Sequence, residues 1–332
     1  MLLSIVIPAF NAELYIDRCM ASVYRYSSSF DLFEVIVIDD GSKDRTFEIL
    51  QSYCDKYANI SLIGKENEGV SVARNLGIKA AKGDYVLFLD VDDELIDGSL
   101  PKLFTYLSEH EPIDMVVTRQ IRNNGTKEWI TDEPSLEEHK IYTGIEAFQH
   151  HYVRTNAGGG ICRRTFLLEH NLFFPAGVRN AEDTIFFGQL QVYAQSIVYY
   201  NLALYLIHEI EGSASHGLDY TKLAKSHVIT MRSVAEIKSS LEGTREQKAI
   251  FDYVVYQLLS NTIQIFAASK ELTYRQFKKD VDCHHLLPVD VRYMSKMKKN
   301  ARLMNISVAI FYLLACVKRR LKVKPFPKII LI

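Results

Sequence analysis

KGDYVLFLDVDDEL, residues 82–95, is the stretch from which the fold is read. Tyr85–Leu89 is a short unbroken apolar run, bounded by Gly83 before it and by acids after it. Such a run, too short for a helix, predicts a strand buried on both faces, as in a parallel sheet covered by helices. Asp90 and Asp92 are separated by one residue, so in an extended chain their carboxylates point to the same side. Oxygen pairs of this kind suit the hard cations Mg²⁺ and Mn²⁺, which also bridge phosphate oxygens. A D-x-D triplet alone is more often a solvated strand-end turn. The apolar strand before it and a third acid, Asp93, favour a site here.

Working outward, the same pattern recurs. Ser4–Ile7, Glu34–Ile38, Ile60–Ile63 and Met115–Thr118 read as further strands, with helical patterns near 12–28, 44–57, 70–82 and 98–110. Alternating β and α segments predict an α/β fold with a mainly parallel central sheet. Ligands on such sheets lie beyond the carboxyl ends of the strands. Asp39 and Asp40 end one strand, and Asp90 to Asp93 end another. An acid at Asp40 offers an acceptor for an imide N–H, though Asp39 to Ser42 also reads as a cap for a helix starting near Asp44. Arg74, one turn into the next helix, is placed either to meet a diphosphate or to lie exposed on the surface. Glu182 and Asp183 open a later helix, where acids favour the helix dipole and where a general base for an acceptor hydroxyl would also serve.

The chain has 332 residues, 48% of them hydrophobic and 24% charged, enough for two units with real cores. Its five cysteines form no CxxC pair, which predicts reduced thiols and a cytoplasmic setting. The formal charge of -1 conceals an asymmetry. Residues 291–332 hold eleven of the 39 Lys and Arg and none of the 40 Asp and Glu, leaving the first 290 residues at -12. Within this tail Leu303–Val317 is mostly apolar but shorter than the ~20 residues of a membrane span. Basic flanks around a short apolar segment read either as contact with an anionic membrane surface, favoured by the absence of any acid, or as a buried C-terminal helix with a charged rim. Nucleic acid is not expected, since aromatic residues do not alternate regularly with the tail's basic ones as base stacking would require. From about residue 217 the pattern is helical.

Four pieces occur in order: SIVIPAFNAELYI, VIVIDDGSKDRT, NEGVSVARNLGIKAAKGDYVLFLDVDDEL and FFPAGVRNAEDTIFF. Together they resemble glycosyltransferase family 2 over about residues 1–215. The resemblance implies a GT-A nucleotide-sugar-binding domain at 1–215, with a mainly helical region at 216–332. It implies a UDP-sugar donor and Mg²⁺ or Mn²⁺. Pro8, Phe10 and Asp40 match positions that hold base and ribose, with Asp40 as the imide acceptor. Arg74 matches a diphosphate contact. Asp92 matches the direct metal ligand, and Asp90 a sugar or ribose contact and second metal candidate, with Asp93 in support. Asp183 matches the catalytic base and Glu182 its acidic neighbour, in a single displacement that inverts the anomeric carbon.

Where relatives carry a Tyr-Arg pair before a Gly-Ser-Ile-Ser-like segment, this chain has Ile207-His208 before Gly212-Ser213-Ala214-Ser215. His208 is therefore a substitute phosphate or metal contact, or else, as is more usual, a packed or exposed histidine. Gly158–Gly160, in place of bulkier residues, reads as room for an acceptor. The expected activity is transfer of a sugar to a glycan or polyprenyl-lipid-linked acceptor in surface polysaccharide synthesis, at the inner face of the cell membrane. The rival readings are a nucleotidyltransferase, whose Gly-rich basic loop is missing from PAFNAELYI, and an inactive nucleotide-binding scaffold, against which Asp90, Asp92 and Asp183 argue.

Overall fold

The computed structural model of the chain describes residues 1–25, 30–130, 134–209, 220–269, 272–292, 294 and 297–320. These residues form two compact units. The first comprises Met1–Tyr152, Asn156–Gly177 and Ala194–Glu211, and the second Val153–Thr155, Val178–Tyr193 and Gly212–Ile332.

The first unit begins as the alternation predicts: β1 (Leu3–Ala9), α1 (Ile16–Tyr24), β2 (Phe33–Asp39), α2 (Thr46–Lys56), β3 (Ile60–Gly64), α3 (Val70–Ala80) and β4 (Tyr85–Phe88). It continues through β5 (Glu94–Leu95), α4 (Ser99–Glu109), β6 (Met115–Asn123), β7 (Glu128–Ile130), β8 (Ile141–Tyr142) and α5 (Gly144–Gln149). Helix α5 starts at a Thr143/Glu146 capping box. After β9 (Gly160–Arg163) and α6 (Arg164–Glu169), the unit closes with β10 (Ile197–His208).

The strand order is β3-β2-β1-β4-β9-β6-β10-β5, with β7 on β6 and β8 on β10. Strands β3, β2, β1 and β4 are mutually parallel. Strand β9 runs antiparallel between β4 and β6, while β10 returns parallel to β6. The periodicity of the sequence predicts the parallel part but not the short antiparallel strands, whose pairing is non-local. Every residue of β1 and β2 is buried, as strands with both faces covered require. One face meets α1 through Ile16, Cys19, Met20 and Val23, at helical spacing. On the other face α3 lies so close to β1 that a Cβ at Gly77 would sit 2.2 Å from Val6 Cγ1. The chain runs outward from β1 to β3 and then crosses to β4 on the opposite side of β1. That reversal is the switch point where α/β sheets bind ligands.

The second unit is helical: α7 (Glu182–Tyr193), α8 (Tyr220–Ser240), α9 (Arg245–Ala268), α10 (Tyr274–Asp280), α11 (Lys298–Ile306) and α12 (Val308–Arg320). Helix α9 begins at a Thr244/Gln247 capping box and is buried nearly all round, from Ile250 and Phe251 to Ile265 and Phe266. A helix apolar on every side is the centre of its unit, and α7, α8, α10 and α12 all pack on it. The apolar stretch Leu303–Val317 is not one helix, since Ser307, in extended conformation, ends α11 before α12 starts. Among the described residues no helix is long and apolar enough to cross a membrane.

Candidate nucleotide-sugar site

Three loops converge at the carboxyl ends of β1, β2 and β4. Pro8 is buried in β1 opposite Ile38, and two residues on Phe10 is 47% exposed, an aromatic face left open beside the strand end. The Asp40 N–H donates to the Ala9 carbonyl (2.8 Å), tying the first two loops together. Gly41 then turns the chain at φ +75°, where a Cβ would lie 2.9 Å from the Asn67 nitrogen. This close approach brings Asp40 against the loop that follows β3.

Asp40 is buried, and its carboxylate is held on several sides. Oδ1 accepts from Lys65 Nζ (2.6 Å) and the Glu68 N–H (3.0 Å), and Oδ2 from the Gly69 N–H (2.8 Å). A carboxylate oxygen has two acceptor sites, so Oδ2 keeps one for a further donor. The helix-cap alternative for this segment does not hold at Asp40. It is Asp44 that bonds the Thr46 N–H at the start of α2 (3.0 Å), while Asp39 accepts from the Ser42 N–H (3.4 Å).

Arg74 is not an exposed helix arginine. It is 3% exposed, its guanidinium donates to Asp90 Oδ1 (2.8 Å), and it lies over the Phe174 ring (5.1 Å). The acidic turn after β4 is fixed from several directions. Tyr205 Oη accepts the Asp90 N–H (2.9 Å), and the His208 N–H donates to Asp93 Oδ1 (3.0 Å). The Arg18 guanidinium bonds the Asp92 carbonyl and lies 3.4 Å from Glu94. Burial first, then the charges of Asp90 and Asp92, pushes the Asp93 carboxyl up to about 8. Burial and Asp90 raise Asp92 as well.

The three carboxylates thus differ in their commitments. Asp90 is paired with Arg74, and Asp93 is held by His208 and Tyr205. The Asp92 carboxylate is half-buried and lies near the charges of Arg18 and His208. Among the described residues no three His, Cys, Asp or Glu side chains form a metal cage. This donor set fits a cation that takes one or two carboxylates and completes its shell with water and substrate phosphate, as Mg²⁺ does. Asp92 and Asp90 would hold it.

His208 does not sit open to a ligand. Its Nε2 lies 2.6 Å from Glu94 Oε1, and both side chains are mostly buried. At Gly158 there is no room for an acceptor. A Cβ at Gly158 would lie 2.7 Å from Gln120 Nε2 and 2.9 Å from the Tyr205 ring, so this glycine permits close packing. The segment Gly212–Ser215 lies outside the described residues.

In the second unit, Glu182 and Asp183 form the first turn of α7, half-buried. Asn180 and Ala181 before them have φ of +69° and +77°. A left-handed alanine is strained and persists only where surrounding structure imposes it. The start of α7 is anchored by Thr184 Oγ1 on the Thr155 carbonyl (3.3 Å) and by Arg154 over the Phe187 ring (5.4 Å).

Sequence reasoning missed Lys65, Arg18, Tyr205 and Glu94. Lys65 carried a signal, since it directly follows the third strand on the same sheet edge. Arg18 and Tyr205 carried none, because their roles depend on helix and strand packing.

A parallel β3-β2-β1-β4 sheet with an acidic turn after β4 and a buried acid after β2 defines a GT-A-type glycosyltransferase fold. The chain belongs to glycosyl transferase family 2, whose sequence profile matches residues 4–172. It is 33% identical over 191 residues to the uncharacterized glycosyltransferase EpsJ of Bacillus subtilis (strain 168), covering 56% of this chain and 54% of that one. It is 24% identical over 254 residues to the poly(ribitol-phosphate) beta-N-acetylglucosaminyltransferase TarS of Staphylococcus aureus (strain MW2), covering 76% of this chain and 43% of TarS. The chain thus spans about half the length of these curated relatives. The crystal structure of S. aureus TarS 1-349 in complex with UDP-GlcNAc shares the fold at a TM-score of 0.69 and 21% identity, over 97% of this chain and 93% of that one.

Proposed function

We propose that this chain is an inverting glycosyltransferase that takes a sugar from a UDP-sugar, with Mg²⁺ or Mn²⁺, and delivers it to a hydroxyl of a glycan or lipid-linked acceptor in surface polysaccharide synthesis. The observation that carries the reading is the set of distinct carboxylates beyond β2 and β4: Asp40 with one acceptor site left, Asp90 paired to a buried arginine, and a half-buried Asp92 beside them in the acidic turn. Asp40 accepts the uracil imide N–H, and Phe10 offers its exposed ring to the base. Arg74 holds Asp90 toward the sugar and ribose and brings a cation close to the diphosphate. The divalent ion, when bound by Asp92, supplies charge neutralisation to the leaving diphosphate. Asp183 takes the proton of the acceptor hydroxyl as its oxygen forms a bond to the anomeric carbon and the bond to the UDP oxygen breaks on the opposite face. Glu182 supports that base.

In this reading residues 1–215 carry the chemistry, and 216–332 carry acceptor and membrane contacts. The basic segment 291–332 holds the protein at the inner face of the cell membrane. The TarS complex with UDP-GlcNAc makes UDP-GlcNAc the first donor to test. The experiment is UDP release from a panel of UDP-sugars with Mn²⁺ or with EDTA. Metal-dependent release from one donor supports the reading. No UDP binding by calorimetry together with no release from any donor would overturn it.

A further inference from the structure

We propose that the outer face of α12 is a membrane-docking surface that lies in the interface of an anionic bilayer, extending the membrane contact read above. Helix α12 is apolar on two sides. Its inner side, Phe311, Tyr312 and Ala315, is buried, with the Tyr312 ring 5.1 Å from Tyr274 and 5.9 Å from Phe277. On its other side Ile310, Leu313, Leu314 and Val317 recur at helical spacing and remain exposed, Leu313 by 63%. Ile306, at the end of α11, adds an apolar side chain that is 79% exposed. Single exposed leucines are ordinary, but a continuous apolar face on a soluble surface marks an interaction site.

Charge selects the occupant. Residues 291–332 contain eleven basic residues and no acid, and Lys299 and Arg302 on α11 are exposed. Arg319 at the end of α12 donates to the Ala267 carbonyl (3.0 Å), holding the helix end on α9. An apolar helix face within a basic, acid-free segment, too short to span a bilayer, matches a helix lying flat among lipid headgroups. Basic residues near the surface add attraction that salt screens.

The test uses the full chain and sedimentation with vesicles of phosphatidylglycerol and phosphatidylcholine, or of phosphatidylcholine alone. The wild type is expected to sediment with the anionic vesicles and to be released by about 0.5 M NaCl. Joint replacement Leu313→Gln and Leu314→Gln is expected to lower the partition at least about tenfold. Ile310→Gln, one turn earlier, should also lower it. Joint replacement Lys299→Gln and Arg302→Gln should weaken binding to anionic vesicles and reduce its salt sensitivity. Unchanged helical circular dichroism and thermal midpoint of these variants verify the fold of the second unit independently of the lipid result. Equal sedimentation of the wild type with both vesicles, or wild-type partition of the Leu313/Leu314 variant, would overturn the proposal. So would a wild-type dimer by light scattering that becomes monomeric in that variant, since the face would then be covered by a second copy.

Discussion

Replacing Asp40 by Asn changes one atom and the sign of its hydrogen bonding. In the native loop Oδ1 accepts two bonds, from Lys65 Nζ and the Glu68 N–H, and Oδ2 accepts one, from the Gly69 N–H. An asparagine has one acceptor oxygen and one amide nitrogen that only donates. If the oxygen faces Lys65 and Glu68, the amide faces the Gly69 N–H. If the amide is flipped, it faces the lysine and the Glu68 N–H. Either way a buried donor meets a donor, at a cost of about 1–3 kcal/mol. Loss of the charge opposite Lys65 adds only about 1 kcal/mol, because Lys65 retains Glu68 at 3.0 Å. The sum is about 2–4 kcal/mol. With a urea slope of about 2–3 kcal/mol/M, the midpoint of unfolding should fall by about 1 M. UDP affinity should drop at least about tenfold, because the oxygen turns to the two donors Lys65 and Glu68 and the amide then presents an N–H to the uracil imide. Urea titration followed by circular dichroism and calorimetry with UDP read the two effects separately. An unchanged midpoint would refute the bonding described around Asp40. A destabilised variant with undiminished UDP affinity would refute its contact with the base.

Three further outcomes are expected. Asp183→Asn should lower turnover by about 10²–10⁴-fold while leaving UDP-sugar affinity unchanged, and wild-type turnover would remove Asp183 from the proton transfer. Asp92→Asn should abolish the gain in UDP affinity brought by Mn²⁺ without shifting the thermal midpoint downward; retained metal enhancement would place the cation elsewhere. His227 is buried in α8 beside Thr262 Oγ1 (3.1 Å), and burial lowers its pKa from 6.5 to about 4. The unfolded chain therefore takes up the proton first as pH falls. Stability contributed by the neutral ring is complete above pH 6.5 and is lost down to about pH 4, by about 3 kcal/mol. Urea midpoints of wild type and His227→Gln across this window should diverge by that amount, and parallel curves would contradict the account.

Strands β1 to β4 and the helices between them were legible from short apolar runs and helical spacing, because each of these patterns is local. The same locality placed Asp40 and Asp90 to Asp93 at strand ends, and the order of four motifs pointed to the family. Strand β9 was not legible. It is four residues long and belongs to the sheet only because β4 and β6 flank it. The state of each site residue was equally hidden. Arg74 reads alike in sequence whether exposed or buried on Asp90, and His208 reads alike whether open or closed on Glu94. Those outcomes depend on Phe174, Tyr205 and Glu94, which lie far from at least one of their partners along the chain. Spacing along the chain specifies which chemical groups reach a strand end. Which of them are neutralised there and which remain for a ligand is decided by side chains from distant segments, since burial and hydrogen bonding are properties of the folded neighbourhood.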